Sequence, residues 1–208
     1  MWFELLGHSA TVVGTIGFIW YGVSIYRGET KPSRMTWFIL TAIATIVAIV
    51  NLEMQATTTL GLYIMSAFGS LIIFLLSLSR GVGGWDTHDK IALAGVTLAI
   101  GAWFIVGNPF ISLLIALSFD FWGLYPTIVK VAYDPASEAW LPWVITLMSS
   151  VLNLAAINIM TLPDNFLNVG LSPVYYLVID GLVTSLILLP FLINRPLLRI
   201  SDDPQTLT

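Results

Sequence analysis

Seven long runs of apolar residues constrain the fold more than any other feature of this sequence. A helix needs about 20 apolar residues to cross the hydrocarbon core of a bilayer, and each run is close to that length. Only 10% of the residues are charged, against roughly 25% in a soluble domain. The sequence therefore predicts an all-α integral membrane protein with seven transmembrane helices. The predicted spans are 8–26, 35–53, 58–79, 90–107, 109–131, 140–161 and 172–194.

The basic residues occur on only one side of this predicted bundle. They lie between spans one and two, three and four, or five and six, or after span seven: Arg27, Lys31, Arg34, Arg80, Lys90, Lys130, Arg195 and Arg199. Cytoplasmic loops carry an excess of Lys and Arg, so we expect the N-terminus outside and the C-terminus inside. Residues 195–208 then form a cytoplasmic tail. Glu4 stands where a signal peptide has its positive charge, so we expect the first helix to be retained.

Two polar corners of the chain share one order of residues. In both "VSIYRGETKPSRMTW" (23–37) and "YPTIVKVAYDPASEAW" (125–140), an apolar helix is followed by a basic residue, a proline and a tryptophan. A shift of 103 residues aligns three pairs: Arg27 with Lys130, Pro32 with Pro135, and Trp37 with Trp140. Spans one and five point the same way. We therefore expect two parallel three-helix repeats, 1–79 and 108–194, joined by a linker helix within 80–107.

This three-plus-one-plus-three layout, with a proline near a helix end before a basic residue, resembles the SWEET and PQ-loop family. The second repeat has a degenerate form of the family motif at Pro126 and Thr127, ahead of Lys130, whereas the first repeat has Val23 and Ser24 at the aligned positions. The corners "KPSRMTW" and "DPASEAW" also resemble small bacterial membrane proteins related to this group. The resemblance implies a carrier or facilitator for a sugar-like or other small polar solute, in a bacterial inner (plasma) membrane, with Pro126 as a hinge.

Asp120 and Asp180 are the acidic residues in the middle of predicted spans. Both spans run inward, and at about 1.5 Å per residue the two carboxyl groups reach a similar depth near the midplane. An Asp at this depth costs about 2.5–3.5 kcal/mol on insertion scales and is usually functional. Because the Lys and Arg residues lie at or beyond the span ends and none lies in the membrane interior, each carboxyl group is expected to be protonated, hydrogen-bonded or in a wet cavity. Proton-coupled transport through these aspartates is one hypothesis.

Small and polar residues recur at helical spacing along five spans. They are Gly14, Gly17, Tyr21 and Ser24; Tyr63, Ser66 and Ser70; Asp120, Gly123 and Thr127; Thr146, Ser149 and Asn153; and Tyr176, Asp180 and Thr184. Such residues also pack transmembrane helices together, and Asn153 suits a solute hydroxyl or a neighbouring helix equally well. The predicted solute contacts are Asp120, Asp180, Asn153, Tyr176 and Thr127.

Other functions are constrained by what the sequence lacks. There is no cysteine and there are two histidines, so we expect no metal site and no cofactor. No basic patch suggests nucleic acid. The segments "SFDFWG" and "VIDGLV" lack the glycine–aspartate signature of intramembrane aspartyl proteases, so we expect no enzyme. The alternative function is a non-transporting receptor, a lipid-binding protein or an accessory subunit of a membrane complex, and homo-oligomerisation stays open.

The tryptophans near span ends are expected to form aromatic belts at the membrane surfaces. These residues are Trp2, Trp37, Trp85, Trp140 and Trp143.

Overall fold

The computed structural model describes residues 1–83, 87–157 and 166–193, and these residues form helices with no strand among them. The helices are α1 (Trp2–Arg27), α2 (Arg34–Glu53), α3 (Thr57–Arg80), α4 (Thr87–Val106), α5 (Pro109–Tyr133), α6 (Trp140–Ala155) and α7 (Phe166–Ile193). A short 3-10 turn, Pro135–Ser137, precedes α6. Trp85, the predicted tail 195–208 with Arg195 and Arg199, and most of the connection between α6 and α7 lie outside the described residues.

Six of the helices are long and apolar enough to cross a membrane. The exception is α6, which is apolar but has only 16 residues, or about 24 Å of helix at 1.5 Å per residue. The hydrocarbon core of a bilayer is about 30 Å thick. The chain is therefore an integral membrane protein with six long apolar helices and one shorter one.

Three helix ends differ by six residues from the predicted spans. Helix α1 begins at Trp2 because Glu4 lies in its first turn, where a carboxylate interacts favourably with the helix dipole. Helix α7 begins at Phe166, six residues before the predicted start, and includes Pro173. Helix α6 ends at Ala155 rather than at residue 161.

The helices pack in two groups of three. Within the groups, α3 contacts both α1 and α2, and α7 contacts both α5 and α6. Between the groups, α1 contacts α6 and α2 contacts α5. Exchange of α1 with α5, α2 with α6 and α3 with α7 leaves this set of main contacts unchanged. Helix α4 packs on α5 and α2 and stands outside that exchange.

Helix α1 lies close to both α3 and α6 because glycines face them. A methyl group on Gly7 would overlap the carbonyl oxygen of Thr58 in α3, and one on Gly14 would lie 2.9 Å from the Ser149 hydroxyl in α6. Ser149 donates a hydrogen bond of 2.8 Å to the carbonyl oxygen of Ala10. Small residues of this kind let helix backbones approach closely in lipid.

Buried apolar side chains form two clusters. One contains Ile43, Val47 and Leu113 and joins α2, α4 and α5. The other includes Ile25 and Ile187 and joins α1 to the second group of helices. Part of the second cluster lines the cavity described next: Tyr21, Trp37, Leu124, Trp143 and Ile179.

Candidate functional site

A cavity of about 110 Å³ lies among helices of both groups. A single water needs about 10–15 Å³ on this scale, so the cavity has room for several waters or a small solute. Its lining comes from α1, α2, α3, α5, α6 and α7. It contains many of the residues whose helical spacing singled them out in the sequence: Gly14, Gly17, Tyr21, Tyr63, Ser66, Ser70, Asp120, Thr146, Ser149, Tyr176 and Asp180.

The two aspartates within the spans both line this cavity. Asp120 is 2% exposed and accepts a hydrogen bond of 3.1 Å from the Tyr175 hydroxyl. Asp180 is 6% exposed and accepts one of 2.5 Å from the Ser150 hydroxyl. Because Asp180 is bound from α6 and Asp120 from α7, the carboxyl groups also connect the helices of the second group. No Lys or Arg side chain in the described part of the chain forms an ion pair with either of them.

The other predicted solute contacts occupy different positions. Tyr176 lines the cavity, with its ring centre 6.0 Å from that of Tyr63. Asn153 lies outside the lining, but its amide donates a hydrogen bond of 3.1 Å to the Tyr63 hydroxyl, so it orients a ring that does line the cavity. Thr127 is buried but also lies outside the lining.

The predicted hinge residue, Pro126, lies inside α5. Proline has no N–H group, so the carbonyl oxygen of Trp122 lacks its usual helical donor at this point. The helix is thereby weakened between Trp122 and Pro126. Whether α5 bends there during a functional cycle stays a prediction.

Two tryptophans predicted for the membrane surface are instead buried at the cavity. Trp37 and Trp143 are each 8% exposed, and both pack on Tyr21, with ring centres 5.0 and 6.3 Å away. Nearness to the end of a span does not show on which side of the helix a tryptophan lies, toward lipid or toward neighbouring helices. Trp2 and Trp140 are 71% and 50% exposed, as expected of surface residues.

The two similar corners of the sequence contact each other in the structure. The Thr30 hydroxyl accepts a hydrogen bond of 2.9 Å from the backbone N–H of Ala139. Lys130 forms an ion pair with Glu138 and also donates a hydrogen bond of 3.5 Å to the carbonyl oxygen of Lys31. These contacts join the α1–α2 corner to the α5–α6 corner.

Glu138 is a site residue that sequence reasoning did not identify. Its side chain is only 1% exposed, although it lies in a polar loop. Besides Lys130, it contacts Tyr21, whose hydroxyl donates a hydrogen bond of 3.1 Å to it. In the sequence, Glu138 is separated from Lys130 by eight residues. This spacing indicates an ion pair only if the chain between them folds back, as it does in this corner. Through Tyr21, the ion pair of the corner is connected directly to the lining of the cavity.

The cavity can bind a polar solute by hydrogen bonds and ring contacts. Its hydroxyl and carboxyl groups supply donors and acceptors, and its aromatic rings supply apolar faces. Among the described residues, no three His, Asp or Glu side chains cluster as metal ligands. The lining therefore combines hydroxyl and carboxyl groups with aromatic rings inside the helical bundle.

Comparison of the chain with protein-family models, with curated proteins and with solved structures finds no match.

Proposed function

We propose that the protein is a carrier or facilitator of the SWEET and PQ-loop type that moves a small polar solute across the membrane. It has seven transmembrane helices in two parallel repeats, with α4 as the linker and the N-terminus outside. The observation that carries the proposal is the cavity. Two carboxyl groups from different helices of the second group, Asp120 and Asp180, meet residues of the first group there. Transporters built from repeats place their substrate site at the repeat interface near the midplane.

The helix contacts support the two repeats. In each group, the third helix contacts the other two, and the main contacts between the groups keep the same pattern when the groups are exchanged. Parallel repeats related by an axis along the membrane normal would produce this pattern. The basic corner sequences, which suggested the repeat, also occupy equivalent positions within the two groups.

The corner contacts supply a way to close one end of the cavity. Tyr21, Trp37 and Trp143 pack together at the cavity, and Tyr21 is held by Glu138, which is paired with Lys130. In the proposed orientation, this network lies on the cytoplasmic side. Separation of the corners would open the cavity to that side, so the network would act as a cytoplasmic gate.

Thiol accessibility provides the test, because the chain has no cysteine and single cysteines need no background changes. Ser66→Cys places a thiol in the cavity, whereas Ser118→Cys places one on an exposed face of α5 outside the lining. In oriented membrane vesicles, a membrane-impermeant maleimide applied to either side should modify the Ser66→Cys variant. It should leave the Ser118→Cys variant unmodified, because that thiol faces lipid.

Access from one side only, under all solute conditions, would contradict alternating access. The receptor or lipid-binding function would then become the better hypothesis. Modification of both variants from both sides would show that the bundle is loosely packed and that the cavity is not a defined site. A cysteine added at the N-terminus tests the proposed orientation in the same vesicles.

A further inference from the structure

The acidic and basic side chains in the cavity lining are of one kind only. Among its described residues are two Asp and no Lys, Arg or His. The groups that bind the two carboxyl groups are neutral hydroxyls, of Tyr175 and Ser150. Two carboxylates in an apolar setting need a compensating positive charge or must take up protons. A bound cation would supply that charge.

The rest of the lining suits an organic cation rather than a bare metal ion. Tyr21, Trp37 and Trp143 form one aromatic group, and Tyr63 with Tyr176 forms a second. All five rings line the cavity. Aromatic faces attract ammonium groups through their quadrupoles, and cages of such rings recognise quaternary ammonium ligands. A divalent metal ion would instead require a closer cluster of oxygen ligands, of the kind absent from the described residues.

One donor in the lining forms no hydrogen bond with any residue that the structure describes. This donor is the indole N–H of Trp143, which is buried in a residue that is only 8% exposed. A buried polar group without a partner is costly, and such groups are usually satisfied. A ligand oxygen, such as a hydroxyl, within hydrogen-bond distance of this N–H would satisfy it.

From these observations we infer that the cavity binds a small organic cation, an ammonium compound that also carries a hydroxyl or carbonyl oxygen. The carboxyl groups of Asp120 and Asp180 balance the charge, and the aromatic rings contact the alkyl groups on nitrogen. The inference rests on the proposed function, because it names the solute class for the same cavity. It differs from the sugar-like solute that the sequence resemblance implies.

Choline and its neutral isostere 3,3-dimethyl-1-butanol form a matched pair of probes for the full-length protein in detergent. They have nearly the same shape and the same hydroxyl, but only choline is charged. We expect choline to raise the unfolding temperature, since a ligand that binds only the folded state stabilises it. Its affinity should exceed that of the neutral isostere by about tenfold or more. Glucose serves as the probe for a sugar-like solute.

Two variants locate the site, and a third is the control. Asp120→Asn and Asp180→Asn should each weaken choline binding by about tenfold or more, while binding of the neutral isostere changes little. Glu53→Gln is the control, because Glu53 is an exposed acid outside the lining that accepts a hydrogen bond from Trp103. It should leave choline binding unchanged.

Equal affinity of the wild type for choline and for the neutral isostere would overturn the inference without any variant. Stabilisation by glucose alone would also overturn it and would favour a neutral solute. These results are independent of the thiol-accessibility test. A cavity reached from both sides that ignores choline refutes only the cation, and a cavity that binds choline but opens to one side refutes only transport.

Discussion

Replacement of Lys130 by Met removes the cation that is paired with a buried carboxylate. The Glu138 side chain is 1% exposed and that of Lys130 is 31% exposed. Without Lys130, the carboxylate of Glu138 keeps the hydrogen bond of 3.1 Å from the Tyr21 hydroxyl. The variant would therefore bury a carboxylate that has lost its counter-charge but keeps one hydrogen bond.

The loss of one partner of a buried ion pair costs about 3–5 kcal/mol. Water reaches the Lys130 side of this pair, and the remaining hydrogen bond to the carboxylate contributes about 1.5–3 kcal/mol. We therefore expect Lys130→Met to lower the free energy of unfolding by about 2–3 kcal/mol, at or just below the lower limit of the range for buried pairs. The double variant Lys130→Met with Glu138→Gln should lose only about 1 kcal/mol, because no unpaired charge is left buried.

Reversible unfolding in mixed micelles, followed by tryptophan fluorescence, measures these differences. The control pair is Arg27 and Glu29, whose side chains are 56% and 48% exposed. Arg27→Met should cost less than about 1 kcal/mol, as is usual for surface ion pairs. The reasoning fails if Lys130→Met costs no more than Arg27→Met. It also fails if the double variant loses the sum of the two single changes.

Two further predictions concern the packing around the cavity. Tyr63→Phe removes the acceptor of the buried Asn153 amide and should cost about 1–3 kcal/mol in the same unfolding assay. Adding Asn153→Leu should restore most of the lost stability. If it restores none, the lost hydrogen bond is not the cause. Gly7→Ala should destabilise by about 1–3 kcal/mol through overpacking, since its methyl group would overlap the Thr58 carbonyl oxygen. Gly101→Ala, where nothing lies within 4 Å of the added methyl group, should be neutral or stabilising, and equal effects of the two changes would contradict the close packing of α1 on α3.

The helices themselves could be predicted from the sequence because a bilayer imposes a simple requirement. Each crossing segment must satisfy its backbone hydrogen bonds internally and must be apolar over its length. Seven α-helices among the described residues correspond to the seven predicted runs, and the errors are at their ends. The ends depend on local details, such as Glu4 in the first turn of α1, which an average over apolar residues does not include.

One part of the candidate site could be predicted from the helical period alone, namely residues that lie on the same face of one helix. Tyr63, Ser66 and Ser70 are one turn apart along α3 and do share the cavity, as Asp120 and Asp180 do across two helices. The predicted solute contacts Asn153 and Thr127 lie outside the lining. Period places a residue on a face of its helix, but it does not say which neighbour that face meets.

Only the tertiary structure decided which parts of the chain come together around those faces. Trp37 and Trp143 were expected at the membrane surface and are buried against Tyr21, since the rotation of each helix is set by its neighbours. Glu138 became a buried partner of Lys130 only through the folding of the corner between α5 and α6. The sequence by itself determined that the chain is a helical membrane protein and which residues share a polar face of a helix. These properties depend on local composition and on the helical period. The cavity and the contact between the two corners depend on residues about 100 positions apart, which hydropathy and period do not relate to one another.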